Sequence, residues 1–147
     1  MMDSRTILLV DDEINVARTL QMVLEQEGYR VTTCFSAREA FAIFQNGIRA
    51  DVVITDLNME TDDIGLEVAR AAQKLKPRPL VVICTGYANI ENSSSALEMR
   101  VDYLVTKPVD LDELKSALLL MLGRRRSAAT LGAKPNGAKR KRAQANG

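Results

Sequence analysis

Five short apolar runs, each followed by a segment of different periodicity, constrain this chain more than any other feature. The runs are TILLV at 6–10, RVTTC at 30–34, DVVIT at 51–55, LVVIC at 80–84 and DYLVT at 102–106. Strands that are apolar throughout, without alternation, are buried on both faces, which is the mark of a parallel sheet held between helices. The intervening segments have helical spacing. Ile14, Ala17, Leu20 and Leu24 fall on one face, as do Leu111, Leu114, Leu118 and Met121. Ser36 with Glu39, and Asp110 with Glu113, resemble N-terminal capping boxes. Gly28 and Gly47 close the first and second helices. Five such units in residues 1–122 predict one doubly wound α/β domain.

In a sheet of this kind the ligand site lies beyond the carboxyl ends of the strands. The first run continues as ILLVDDE, so Asp11 and Asp12 follow the first strand. Asp56 follows the third, Thr85 the fourth, and Lys107 with Pro108 the fifth. The second strand ends in Cys34, Phe35 and Ser36 and brings nothing comparable. Three carboxylates at one rim repel one another unless a counter-charge is present. Mg²⁺, a hard cation that takes oxygen ligands, supplies one. A strand spacing of about 4.7–4.9 Å makes a shared ion feasible. Thr85 adds a neutral donor and Lys107 a positive one. Together with the cation they would surround a group bearing several anionic oxygens, and a phosphoryl group fits best. A carboxylate can attack phosphorus. Asp56 lies nearest Thr85 and Lys107 in this layout and is the candidate nucleophile. Such transfer rests on positioning and charge neutralisation and needs no general base. The chain has no histidine, the residue most often used as a base or a metal ligand.

Composition narrows the class further. Apolar residues make up 46% of the 147, enough for one ordinary core. No apolar run reaches the length of a membrane span, and the N-terminus lacks a secretory signal pattern, so a cytoplasmic protein is expected. Cys34 and Cys84 are too few and too far apart for a disulfide framework or a zinc site, and read as small core residues. The net charge of +1 hides an asymmetry. Residues 1–122 carry 12 bases and all 19 acids, a charge of −7; residues 123–147 carry eight bases and no acid, a charge of +8. The latter segment is poor in large apolar residues and reads as a disordered basic tail. Three roles stay open for it: a solvated extension, a contact with nucleic acid or another polyanion by counterion release, and a linker to a further domain.

The pieces ILLVDDE, TDLNM around Asp56, CTGYA around Thr85 and TKPVDLDEL around Lys107, in that order at strand ends, resemble the receiver domain of bacterial two-component response regulators. The resemblance covers about residues 5–122. It implies a flavodoxin-like five-stranded parallel sheet of order 2-1-3-4-5 with five helices. It further implies that Asp56 is the phosphoacceptor, that Asp12 ligates Mg²⁺ directly and Asp11 mainly through water, and that the backbone carbonyl of Asn58 is a further ligand. Thr85 would hydrogen-bond the phosphoryl group. Lys107 would pair with a phosphoryl oxygen, with a cis peptide to Pro108. Tyr87 stands where the family can cover the acyl phosphate, and a bare loop aromatic is an equal reading of it. The phosphoryl donor would be a histidine on a partner, either a sensor histidine kinase or a histidine phosphotransfer protein. Output to an unknown protein would pass through the face built from the fourth helix (IENSSSALEM), the fifth strand and the fifth helix. A homodimer on activation is left open. The whole reading is a single-domain response regulator that catalyses only its own phosphorylation and dephosphorylation. A metal-dependent phosphatase or phosphotransferase is the alternative, disfavoured because no cap subdomain is inserted.

The chain departs from the family's pattern in three places. Glu60 stands where the family usually has proline, and the glycine that follows, Gly65, comes one residue late. The loop NMETDDIG is therefore longer and acidic, and Glu60, Asp62 and Asp63 are expected outside the metal site. Leu104 occupies the position, three before the lysine, where the family often has an aromatic. Tyr103 precedes it and points to the opposite face.

Overall fold

The computed structural model describes residues 5–86 and 100–132, with side chains as far as Arg125. Five parallel strands form one sheet: β1 (Thr6–Val10), β2 (Arg30–Cys34), β3 (Val52–Asp56), β4 (Leu80–Gly86) and β5 (Tyr103–Lys107). Their order is β2-β1-β3-β4-β5, as the resemblance implies. Helices α1 (Ile14–Gln26), α2 (Ala37–Gln45) and α3 (Ile64–Gln73) link the first four strands, and a C-terminal helix runs from Leu111 to Gly132. Four helices are thus present among the described residues. The predicted fourth helix, together with Tyr87, lies outside them. No helix of the described residues is long and apolar enough to cross a membrane.

The central strands β1, β3 and β4 are buried on both faces. Leu8, Val10, Val53, Val81 and Ile83 share one cluster with Ala37 and Ala40 of α2 and Val68, Ala69 and Ala72 of α3. Ile7, Leu9, Val52, Ile54 and Val82, of the opposite parity, are equally buried. Each such side chain contributes about 1.5–3 kcal/mol relative to exposure. The edge strands β2 and β5 are more open, so uniform burial holds only for the three inner strands. In α1, Ala17, Leu20 and Leu24 are buried as the spacing predicts, but Ile14 is 52% exposed. It opens the helix beyond the end of β1, where the stripe has run past the core.

Strand limits differ slightly from the apolar runs, and the difference bears on the site. β3 and β5 begin one residue later and end one later, and β4 continues through Thr85 to Gly86. The initial acids are used otherwise. Asp51 Oδ2 accepts from the Thr6 amide at 2.8 Å and Asp102 Oδ2 from the Val81 amide at 2.8 Å. At the other end the ladder pairs Asp56 with Cys84 and Gly86 with Lys107. Backbone pairing does not depend on side-chain polarity, so it carries these polar residues into the strand ends. Asp56 and Lys107 therefore project from regular strands and not from loops.

Helix ends follow the sequence signals. Ser36 Oγ accepts from the Glu39 amide at 3.0 Å, while Glu39 Oε1 accepts from the Phe35 amide at 2.6 Å, closing the capping box one residue earlier than the usual pattern. Gly28 and Gly47 have φ of 100° and 82°, values that favour glycine. The C-terminal helix, with Leu114, Leu118 and Leu122 buried, continues ten residues past the boundary placed at 122. Residues 123–132, read as disordered, are helical. The composition argument weighed only burial, whereas Ala, Arg and Leu in this stretch are good helix formers.

Gly65 is required by close approach. A Cβ there would lie 2.1 Å from the Asp56 carbonyl oxygen and 2.6 Å from the Leu57 Cα. Both neighbours are backbone and cannot rotate away. Gly65→Ala is expected to destabilise by about 3 kcal/mol or more, the upper end of overpacking costs, read from the urea midpoint. Gly123→Ala, where a Cβ meets nothing within 4 Å, is the control and is expected to be neutral or stabilising. Equal midpoints for the two variants would refute the close approach.

Candidate functional site

β1 and β3 are neighbours in the sheet, which is why their terminal acids meet. One carboxylate oxygen from each of Asp11, Asp12 and Asp56 lies within 4.8 Å of the others. Asp11 and Asp56 are buried and Asp12 is exposed. The Asp11 backbone is tied to the next strand, its amide donating to the Cys34 carbonyl at 3.1 Å. Its Oδ1 accepts from the Glu13 amide at 2.9 Å, which turns the chain into α1. Leu57, just after Asp56, donates its amide to the Cys84 carbonyl at 2.9 Å.

Lys107 reaches in from the edge strand. Its Nζ stands 3.1 Å from Asp11 Oδ2, 3.1 Å from Asp56 Oδ2 and 3.3 Å from Glu13 Oε1. A built-in counter-charge therefore holds the two buried carboxylates together. Burial opposes the charge on Lys107, but Asp56 and Asp11 outweigh it and raise its pKa. Asp56 moves the other way from an ordinary carboxyl. Burial pushes it up, Lys107 pulls it down, Asp11 and Asp12 push it up again, and the result is about 6. Three aspartates and Glu13 around one ammonium leave the cluster short of positive charge. The Lys107–Pro108 peptide is cis, as expected.

Thr85 is buried at the end of β4, and its hydroxyl donates to the Gly86 carbonyl at 3.1 Å. Asn58 lies in the loop after β3, where its side-chain oxygen accepts from the Asp63 amide at 2.8 Å. Leu104 is half-buried and packs with the α2–α3 side of the core. Cys34 and Cys84 are buried, and burial pushes both thiols to about 12, so neither is a thiolate ligand. A cleft of about 560 Å³ adjoins Lys107, lined by Glu13, Val16, Leu20, Pro108 and Val109 among others.

Two contacts were not legible beforehand. Glu13, the third acid of ILLVDDE, shares Lys107; its place beside Asp12 was the available signal. Glu60 reaches across to α2, where its two carboxylate oxygens accept from the amides of Ala37 at 2.9 Å and Arg38 at 3.0 Å. Burial alone would raise its pKa, but these two amides and its own hold it below the ordinary value. A cap from 23 residues away has no sequence signature.

The fold and rim define a doubly wound α/β domain with an acidic, lysine-bridged pocket at the carboxyl ends of β1, β3 and β5. The model of the response regulator receiver domain matches residues 7–119, and the chain belongs to that family. It is 36% identical over 112 residues to the transcriptional regulatory protein GlrR of Escherichia coli, covering 76% of this chain and 25% of that protein. It is 38% identical over 126 residues to the alginate biosynthesis transcriptional regulatory protein AlgB of Pseudomonas aeruginosa (85% and 27%). It is 34% identical over 115 residues to the photosynthetic apparatus regulatory protein RegA of Rhodobacter capsulatus (78% and 61%). The chain thus spans about a quarter of the first two relatives. Among solved structures, a CheY-like receiver domain from Methanospirillum hungatei superposes with a TM-score of 0.78 at 28% identity, covering 86% of this chain and 99% of that one. A receiver domain from Clostridium thermocellum gives 0.75 at 30% identity (83% and 97%).

Proposed function

We propose that the chain accepts a phosphoryl group on Asp56 from a phosphohistidine of a partner, either a sensor histidine kinase or a histidine phosphotransfer protein. The observation that carries this reading is the Asp11–Asp12–Asp56 cluster with Lys107 bridging its two buried members. A pKa of about 6 leaves Asp56 ionised at neutral pH, so it can attack phosphorus without a base. The O–P bond forms as the P–N bond breaks, and the partner's phosphohistidine, protonated beforehand on its other ring nitrogen, leaves as neutral imidazole.

The donor set of hard carboxylate oxygens, with both thiols protonated and no imidazole in the chain, fits Mg²⁺. Asp12 and Asp56 would hold it directly, Asp11 mainly through water, and the Asn58 carbonyl would complete the protein's share. When bound it supplies the positive charge that the phosphoryl oxygens require. Lys107 would exchange a carboxylate oxygen for a phosphoryl oxygen, and the Thr85 hydroxyl would turn from the Gly86 carbonyl toward the same group. The cleft beside Lys107 and the exposed Ile14 and Met22 of α1 offer apolar surface to the partner.

Phosphorylation would then shift a two-state equilibrium of an output face. Leu104 is packed with the core, so it would repack without a large rotation. We assign the receiver to residues 1–122 and keep three roles for the basic segment beyond them: a solvated extension, a polyanion contact and a linker. The domain would promote only its own phosphorylation and dephosphorylation. Mixing it with Mg²⁺ and a small phosphodonor such as acetyl phosphate is expected to give up to one phosphoryl group per chain. Continuous phosphate release with many rapid turnovers would instead indicate a phosphatase.

A further inference from the structure

Resting on the reading of Asp56 and Asn58 just given, we propose that Glu60 is a positioning residue that anchors the metal-binding loop after β3 to the first turn of α2. Besides the Leu57 amide, which is held by β4, the backbone contacts of this loop among the described residues run within it or to the start of α3. Asn58 accepts from the Asp63 amide, the Met59 amide donates to the Thr61 carbonyl at 3.2 Å, and the Gly65 amide donates to the Leu57 carbonyl at 2.7 Å. Among the described residues, Glu60 alone extends a side-chain hydrogen bond from residues 58–63 to another element. The acceptor pair is well placed, because the first amides of a helix have no partner within it and carry its positive end.

The loop needs such an anchor. The loop turns into α3 at Asp63, whose φ of 65° is left-handed. That turn lets Gly65 still pack on the Asp56 backbone. A longer loop has more conformations to lose when it presents a carbonyl to a metal. Glu60, two residues from Asn58, holds the loop at the middle of its span. Losing the anchor lowers the fraction of chains whose Asn58 carbonyl stands ready, and the apparent affinity falls in proportion.

The linkage is reciprocal, so metal binding must also tighten the cap on α2. Mg²⁺ affinity, read by calorimetry, and amide hydrogen exchange at Ala37 and Arg38 test both directions. Glu60→Ala is expected to weaken Mg²⁺ binding roughly fivefold, by loss of preorganisation. Glu60→Gln, which keeps one acceptor oxygen, should fall between it and the parent. Ser36→Ala removes a different cap from the same helix and is expected to leave Mg²⁺ affinity within about twofold, although it weakens α2. Mg²⁺ should slow exchange at Ala37 and Arg38 in the parent and lose that effect in Glu60→Ala. Parent-like affinity in both Glu60 variants, or equal losses in Glu60→Ala and Ser36→Ala, would overturn the anchor while leaving the metal site intact. A parent that binds no Mg²⁺ would overturn both.

Discussion

Asp56→Asn is expected to reduce phosphoryl labelling to background, whether the donor is a partner kinase or a small phosphodonor with Mg²⁺. An amide in place of the carboxylate is a poor nucleophile, and no neighbouring acid can substitute. Asp11 is engaged by Lys107 and by the Glu13 amide, and Asp12 is exposed and not bridged by Lys107. The loss should not come from unfolding. Burial raises the folded-state pKa of Asp56 from 3.8 to about 6. The folded protein therefore keeps this proton to higher pH than the unfolded chain does. Stability on this account is full below about 3.8 and is lost as pH rises through about 6. Asparagine is neutral throughout. The variant should be no less stable than the parent in metal-free buffer at pH 8, by urea midpoint. Undiminished labelling of a folded Asp56→Asn protein would reject the acceptor.

Asp12→Ala is expected to lower Mg²⁺ affinity by on the order of 100-fold, at least the loss seen when a metal's outer partners are removed. Asp12 is exposed, so its removal should leave the fold intact. A binding isotherm and the rise in Tm with added Mg²⁺ would both report it, since a ligand bound only by the folded state stabilises in proportion to the logarithm of its concentration. Labelling should fall in step and be partly recovered at high Mg²⁺. Normal affinity in the variant would move the ligand role to Asp11 and Glu13.

The inner sheet was readable because its signal is local. TILLV, DVVIT and LVVIC are apolar on both parities, and two-faced burial leaves few other options. The rim residues could be placed together because parallel strands align their carboxyl ends. What local pattern does not encode is the partner of a long side chain. Lys107 was expected beside a phosphoryl group, yet in this structure it spans Asp11, Glu13 and Asp56. Glu60 was expected only to lie outside the metal site, yet it caps a helix brought near only by the crossover topology. Ile14 fits the helical stripe and is still exposed, because periodicity does not say where a core ends. The helix beyond Leu122 was missed for the opposite reason. Its composition argues against burial, while its residues are good helix formers.

The acceptor assignment can be tested most directly by locating the phosphoryl group. The protein is labelled with a small phosphodonor in Mg²⁺, the acyl phosphate is trapped by borohydride reduction, and the reduced residue is found by tandem mass spectrometry. Reduction at Asp56, dependent on Mg²⁺ and absent without the donor, is the expected result. Reduction at Asp11 or Asp12, or Mg²⁺-independent labelling, would contradict it.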